Sequence, residues 1–119
     1  MIVEDDQLVR ELLSDTLRLA EHHVAEAGTA EEALELAAGL GRLDVVVADV
    51  RLPRSSGFDV LLEVRRHWPA VPAVFVTGWR PDELEIPAAV EQPFRVLPKP
   101  LGAHDLLDVI AELAPTGTP

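Results

Sequence analysis

The run Asp44-Val45-Val46-Val47-Ala48-Asp49 constrains this chain more than any other stretch. A strand with one wet face alternates apolar and polar residues. This run does not alternate, so both its faces must be covered, as in a parallel sheet lying between two layers of helices. The rest of the chain supplies the matching pattern. Ile2-Val3 is a short apolar run that ends in Glu4-Asp5-Asp6. From residue 6 to about 20, Val9, Leu12, Leu13, Thr16, Leu17 and Ala20 form the stripe of an amphipathic helix, with Asp6 as N-cap and Glu11 and Asp15 on the wet side. Residues 23–27 read as a weak strand ending at Gly28. Thr29, with Glu32 three residues on, makes a capping box for a second helix that stops near Gly39-Leu40-Gly41.

After the strand at 44–49 comes a loop from 50 to 57, then a helix over 58–67 that must end before Pro69. Ala73-Val74-Phe75-Val76 is a second buried strand, closed by Thr77-Gly78. Residues 95–97 form a short fifth strand, and residues 103–113 a last helix carrying Leu106, Leu107, Ile110 and Leu113. The helix between the last two strands is compromised. Pro81, Asp82 and Glu83 suit a first turn, but Pro87 removes a backbone bond and Pro93 bars any recovery. That helix is expected to be short or irregular, ending or kinking near Ile86. The order βαβαβαβαβα calls for a parallel α/β sheet with right-handed crossovers. It occupies one domain, residues 1–113, with 114–119 expected to be a disordered tail. The first strand is short, so either residues are missing in front of it or the sheet is weak there.

Composition excludes several classes of function. The chain has 21 acids against 10 bases, a formal net charge of −11, and no dense basic cluster to meet nucleic-acid phosphates. No apolar stretch approaches the ~20 residues of a spanning helix. The amino-terminal residues do not form a signal peptide, so a cytoplasmic protein is expected. With no cysteine, disulfides, thiol catalysis and cysteine–zinc sites are excluded. The four histidines are scattered and read as surface residues.

In an open parallel sheet, ligands bind beyond the carboxyl ends of the strands. Here those ends carry Glu4-Asp5-Asp6, Asp49, Thr77 and Lys99. Converging carboxylates repel one another and call for a cation, and a few hard oxygen ligands suit Mg²⁺. A hydroxyl and an ammonium opposite them fit a phosphoryl group, and a carboxylate can serve as the nucleophile that receives it.

Four segments resemble the receiver domains of two-component response regulators: Ile2-Val3-Glu4-Asp5-Asp6; Val47-Ala48-Asp49-Val50-Arg51-Leu52-Pro53 with Gly57; Val76-Thr77-Gly78; and Leu97-Pro98-Lys99-Pro100. The resemblance covers about residues 1–113. It implies a flavodoxin-like, doubly wound five-stranded parallel sheet of order 2-1-3-4-5 with helices on both faces. It further implies that Asp49 is the phosphoacceptor, and that Asp5 binds Mg²⁺ directly and Glu4 through water, with Asp49 and the Arg51 backbone carbonyl completing the protein's ligands. Thr77, with Gly78, would bond the phosphoryl oxygens; Lys99 would pair with them, and Lys99-Pro100 would be a cis peptide. Val96 stands where the family often has a switch aromatic, and is too short and stiff to repeat that swing. Arg51 and Trp79 occupy the positions that influence the attacking water; both are bulky, so a long-lived phosphoryl group is expected.

Leu8 falls off the buried stripe and would flank the pocket where a histidine kinase or histidine phosphotransfer domain docks. A homodimer is compatible with the resemblance. Beyond self-catalysed phosphoryl transfer and slow autodephosphorylation, no enzymatic activity is implied. Two alternatives stand beside this reading: a degenerate receiver serving only as an interaction module, and a small Mg²⁺-dependent phosphohydrolase.

Overall fold

A computed structural model describes residues 1–78, 82 and 84–113. Trp79, Pro81 and Glu83, which bear on the expectations for phosphoryl lifetime and the compromised helix, lie outside the described residues, as does the tail 114–119. Five strands form one parallel sheet: β1 (Ile2–Val3), β2 (Glu26–Ala27), β3 (Val46–Asp49), β6 (Ala73–Thr77) and β7 (Phe94–Pro98), in the order β2-β1-β3-β6-β7. Between β3 and β6, a two-stranded antiparallel ribbon pairs β4 (Arg51–Leu52) with β5 (Ser55–Ser56). The helices are α1 (Gln7–Leu19), α2 (Ala30–Gly39), α3 (Gly57–Val64) and α4 (Ala103–Leu113). This is the flavodoxin-like architecture and strand order expected from the sequence. Among the described residues, no helix is long and apolar enough to cross a membrane.

The two-residue period of each strand sorts its side chains into two cores. Ile2, Val47, Val74 and Val76 pack with Leu13 and Leu17 of α1 and Leu106 and Ile110 of α4. Val3, Val46, Ala48, Ala73 and Phe75 pack on the other side, with Ala30, Ala33 and Ala37 of α2 and Phe58, Val60, Leu61 and Val64 of α3. The unbroken apolar run of β3 is thus explained, because adjacent valines serve opposite helix layers. The small alanines of α2 let that helix approach the sheet, while Phe58 and Phe75 meet edge-on with ring centroids 4.7 Å apart.

The caps follow the sequence. Asp6 accepts from the Leu8 and Val9 amides, and Thr29 from the Glu32 amide. The Glu32 carboxylate returns to the Gly28 amide at 3.1 Å, one residue ahead of the cap. Ser56 caps α3 by accepting from Asp59 N.

Several details differ from expectation. The segment 50–57 is a hairpin rather than a plain loop, with Arg54 in the left-handed region at φ 61°. Helix α3 ends at Val64, and residues 65–68 continue as tight turns toward Pro69. Strands β2 and β3 begin at Glu26 and Val46, later than the apolar pattern suggests. Ile2 N still donates to Ala25 O at 2.8 Å and the Met1 amino group to Val45 O at 2.9 Å, and residues 23–25 and 43–45 line a cavity of about 610 Å³. Strand β7 is longer than expected, because Phe94 and Pro98 pair with Ala73 and Thr77.

Residues 84–93 carry neither helix nor strand, in keeping with Pro87 and Pro93; Val90 N closes a turn onto Pro87 O at 2.9 Å. The sequence did not reveal how this segment is held. Arg65 of the α3 C-cap donates to the carbonyls of Val71 at 3.0 Å, Glu91 at 2.6 Å and Pro93 at 3.0 Å. Finally, Leu12 is 60% exposed, although its spacing placed it in the core, and Ser14 is buried instead. Helix α1 is rotated so that the line Leu13, Ser14, Leu17 faces the sheet.

Gly57 ties α3 to the end of β3. A Cβ built there would lie 2.4 Å from Asp49 O and 3.3 Å from the Ala48 Cβ. Alanine favours a helix by about 1 kcal/mol over glycine, so propensity alone would make Gly57→Ala stabilising. The clash is with backbone and cannot be relieved by a side-chain rotation. We therefore expect Gly57→Ala to destabilise by about 1–3 kcal/mol, seen as a lower urea midpoint at unchanged slope. A midpoint at or above wild type would contradict the close approach.

Candidate functional site

Four strand ends meet at one edge of the sheet. Glu4 and Asp5 follow β1, Asp49 closes β3, Thr77 closes β6, and Lys99 follows β7. Parallel pairing aligns them: Val3 lies beside Ala48, Asp49 beside Val76, and Thr77 beside Pro98. One carboxylate oxygen from each of Glu4, Asp5 and Asp49 lies within 4.8 Å of the others. Glu4 is 2% exposed and Asp49 8%, whereas Asp5 is open to solvent.

The buried acids share one cation. Lys99 Nζ donates to Asp49 Oδ2 and, at 3.1 Å, to Glu4 Oε1. The other Asp49 oxygen, Oδ1, accepts from the Arg51 amide at 2.9 Å. Lys99 is placed by its own backbone: its N–H donates to Thr77 O at 2.8 Å, and the Lys99–Pro100 bond is cis, as the resemblance implied. A second cis bond, Gln92–Pro93, was not foreseen. Thr77 is buried beside the pocket, and a Cβ at Gly78 would meet open space. Val96 is half-buried in β7, paired with Phe75 and away from the acids. Phe94 packs at a tilt against Phe75, with ring centroids 5.8 Å apart and planes inclined by 57°. Leu8 is 67% exposed just beyond the acidic segment.

Electrostatics follow from this packing. Burial raises the Glu4 carboxyl to about 7; its hydrogen bond from Lys99 opposes the shift, and the Asp49 charge adds to it. For Lys99, burial works against the charged form, but the bonds to Asp49 and Glu4 outweigh it and raise its pKa above the usual lysine value. Two carboxylates share one ammonium and a third stands at the rim, so the site is under-neutralised. Such a set of hard oxygen donors, partly open to water, fits a small divalent cation such as Mg²⁺.

These features are those of a receiver domain, and the whole chain agrees. The family model for the response regulator receiver domain matches residues 1–111, and the chain belongs to that family. It is 33% identical over 114 residues to the response regulator protein FleR of Pseudomonas aeruginosa, covering 96% of this chain and 24% of FleR. It is 36% identical over 115 residues to the transcriptional regulatory protein PdtaR of Mycobacterium tuberculosis, covering 96% of this chain and 55% of PdtaR. The chain therefore spans about half or less of these relatives' length. Among solved structures, a response regulator receiver domain from Clostridium thermocellum superposes with a TM-score of 0.85 at 26% identity, covering 96% of this chain and 91% of that one. The chemotaxis response regulator CheY4 of Vibrio cholerae gives 0.83 at 29% identity, covering 94% of each chain.

The raised Glu4 value has a consequence for stability. Its folded pKa lies above its unfolded one, so the folded protein holds the proton longer. The associated stability is present below about 4.5 and is lost as pH rises through about 7. Without divalent metal, Glu4→Gln should melt higher than wild type near pH 8, and the gap should close toward about pH 5. Thermal melts in chelator across this range check it; a gap independent of pH would contradict the assignment.

Proposed function

We propose that this receiver works as a phosphorylation switch, with Asp49 accepting a phosphoryl group from the phosphohistidine of a histidine kinase or histidine phosphotransfer domain. The observation that carries the reading is that Asp49 closes a fully buried strand and yet presents its carboxylate to Lys99 within a three-acid cluster. A carboxylate oxygen of Asp49 forms the new P–O bond as the P–N bond of the donor breaks, and the imidazole leaves with the electron pair. Lys99, the Thr77 hydroxyl and the Gly78 region stand where the transferred oxygens arrive. Asp5, Asp49, Glu4 and the Arg51 carbonyl would hold Mg²⁺, which would supply charge neutralisation to the phosphoryl group when bound.

The switch then acts through Thr77 and Gly78. Val96, fixed beside Phe75, contributes no swinging ring. The strongly acidic chain argues against nucleic-acid contact by this domain, and we read the signalling role as cytoplasmic.

The donor's docking face is α1. Leu8, Leu12 and Leu19 are the exposed large apolar residues among those described, at 67%, 60% and 86%. At 100° per residue they fall on one stripe that begins beside the acidic pocket. The sequence marked Leu8; rotation of α1 adds the other two.

Acetyl phosphate with Mg²⁺ should yield a single acyl-phosphate adduct by intact-mass spectrometry, lost with chelator and reduced to background in Asp49→Asn. A full-strength adduct in Asp49→Asn would overturn the proposal.

A further inference from the structure

We propose that Arg10 is the positioning residue of the acidic pocket: it pins the peptide between Glu4 and Asp5, so that both carboxylates face Asp49. This rests on the reading of Glu4, Asp5 and Asp49 as the Mg²⁺ site.

Glu4 is where β1 leaves the sheet. Its N–H still donates to Ala27 O at 3.0 Å, the last rung toward β2. In the parallel register set by Ile2 with Glu26 and Val3 with Ala27, the next rung would run from the amide of residue 29 to Glu4 O. That rung is not made, because Thr29 has turned away to cap α2. Arg10 supplies the missing donor: its Nη1 donates to Glu4 O at 2.8 Å. That oxygen belongs to the Glu4–Asp5 peptide, so fixing it orients the backbone from which both acidic side chains leave.

Three further observations belong with this contact. Arg10 stands on the same helical line as Leu13, Ser14 and Leu17, the face α1 turns to the sheet. Its Nε lies 3.8 Å from a Glu26 carboxylate oxygen, which holds the guanidinium over the strand ends. Gly28 leaves the room it needs, since a Cβ there would lie 2.9 Å from Arg10 Nη1. Arg18 also pairs with Glu26, at 3.0 Å, and provides a control with the same ion-pair partner, while the bond to Glu4 O is made by Arg10.

The sign of the effect separates this role from a passive one. A guanidinium near a cation site repels the cation, so on Coulomb's law alone its removal would tighten Mg²⁺ binding. A positioning role requires the opposite. Calorimetric titration with MgCl₂ should show Arg10→Met weakening binding by about 10–100-fold, the range typical of partners that orient metal ligands, with Arg18→Met unchanged within about twofold. Gly28→Ala keeps Arg10 but displaces its guanidinium; it should weaken binding in the same direction, and it serves if Arg10→Met does not fold. In the metal-free protein, amide exchange at Asp5 and Asp6 should be faster in either variant. Equal or tighter Mg²⁺ binding by the folded variants, or equal weakening in Arg18→Met, overturns the proposal while leaving the metal site standing. Absence of Mg²⁺ binding by wild type overturns both.

Discussion

Three carboxylates brought within 4.8 Å of one another, two of them buried, form the constraint on which this structure turns. Burying a charge is costly unless it is paired, and like charges held this close repel one another. The protein's own answer is Lys99, whose single ammonium bonds Asp49 and Glu4. That answer is incomplete: Glu4 remains pushed up to about 7. A site held in this state has a use for added positive charge, and it keeps a polar opening where charge can enter.

The fold exists in the form needed to hold that arrangement. Each acid or base sits just past a different strand, so the sheet register decides whether they meet. The register is secured by valines serving both helix layers, and by the fit of Gly57 against Asp49 O. On the far side of the sheet, Arg65 anchors residues 91 and 93 just before β7, the strand that leads to Lys99. Because Pro87 and Pro93 leave residues 84–93 without regular structure, these two side-chain bonds do work that a packed helix would otherwise share.

Much of this was legible in the sequence for a physical reason. Patterns that report burial on both faces, as in β3, leave little freedom, and acids closing such strands stand out against them. The caps at Asp6 and Thr29 and the meeting of Glu4, Asp5, Asp49 and Lys99 followed from local chemistry and strand order. What could not be read depended on rotation or long-range contact. Leu12 has the spacing of a core residue, but α1 is turned so that Leu12 faces water and Ser14 the core. The bonds from Arg65 to Glu91 and Pro93 join residues more than twenty positions apart, and nothing in the chain near Arg65 marks them. Nothing in the helix pattern singles out Arg10. A clue was present in Gly28, the residue whose missing side chain makes room for it.

The central claim is that the acidic cluster is built to receive a cation, with Asp5 as the ligand open to solvent. The most direct measurement is the melting temperature as Mg²⁺ is added, for wild type and Asp5→Asn. The metal-free Asp5→Asn protein should start at a higher temperature, because one repelling charge is gone. Wild type should then climb with Mg²⁺, gaining about 2.7 kcal/mol at a hundredfold excess over Kd, while the variant stays nearly flat. A wild-type protein unmoved by Mg²⁺, or an Asp5→Asn variant stabilised to the same extent, would contradict the account.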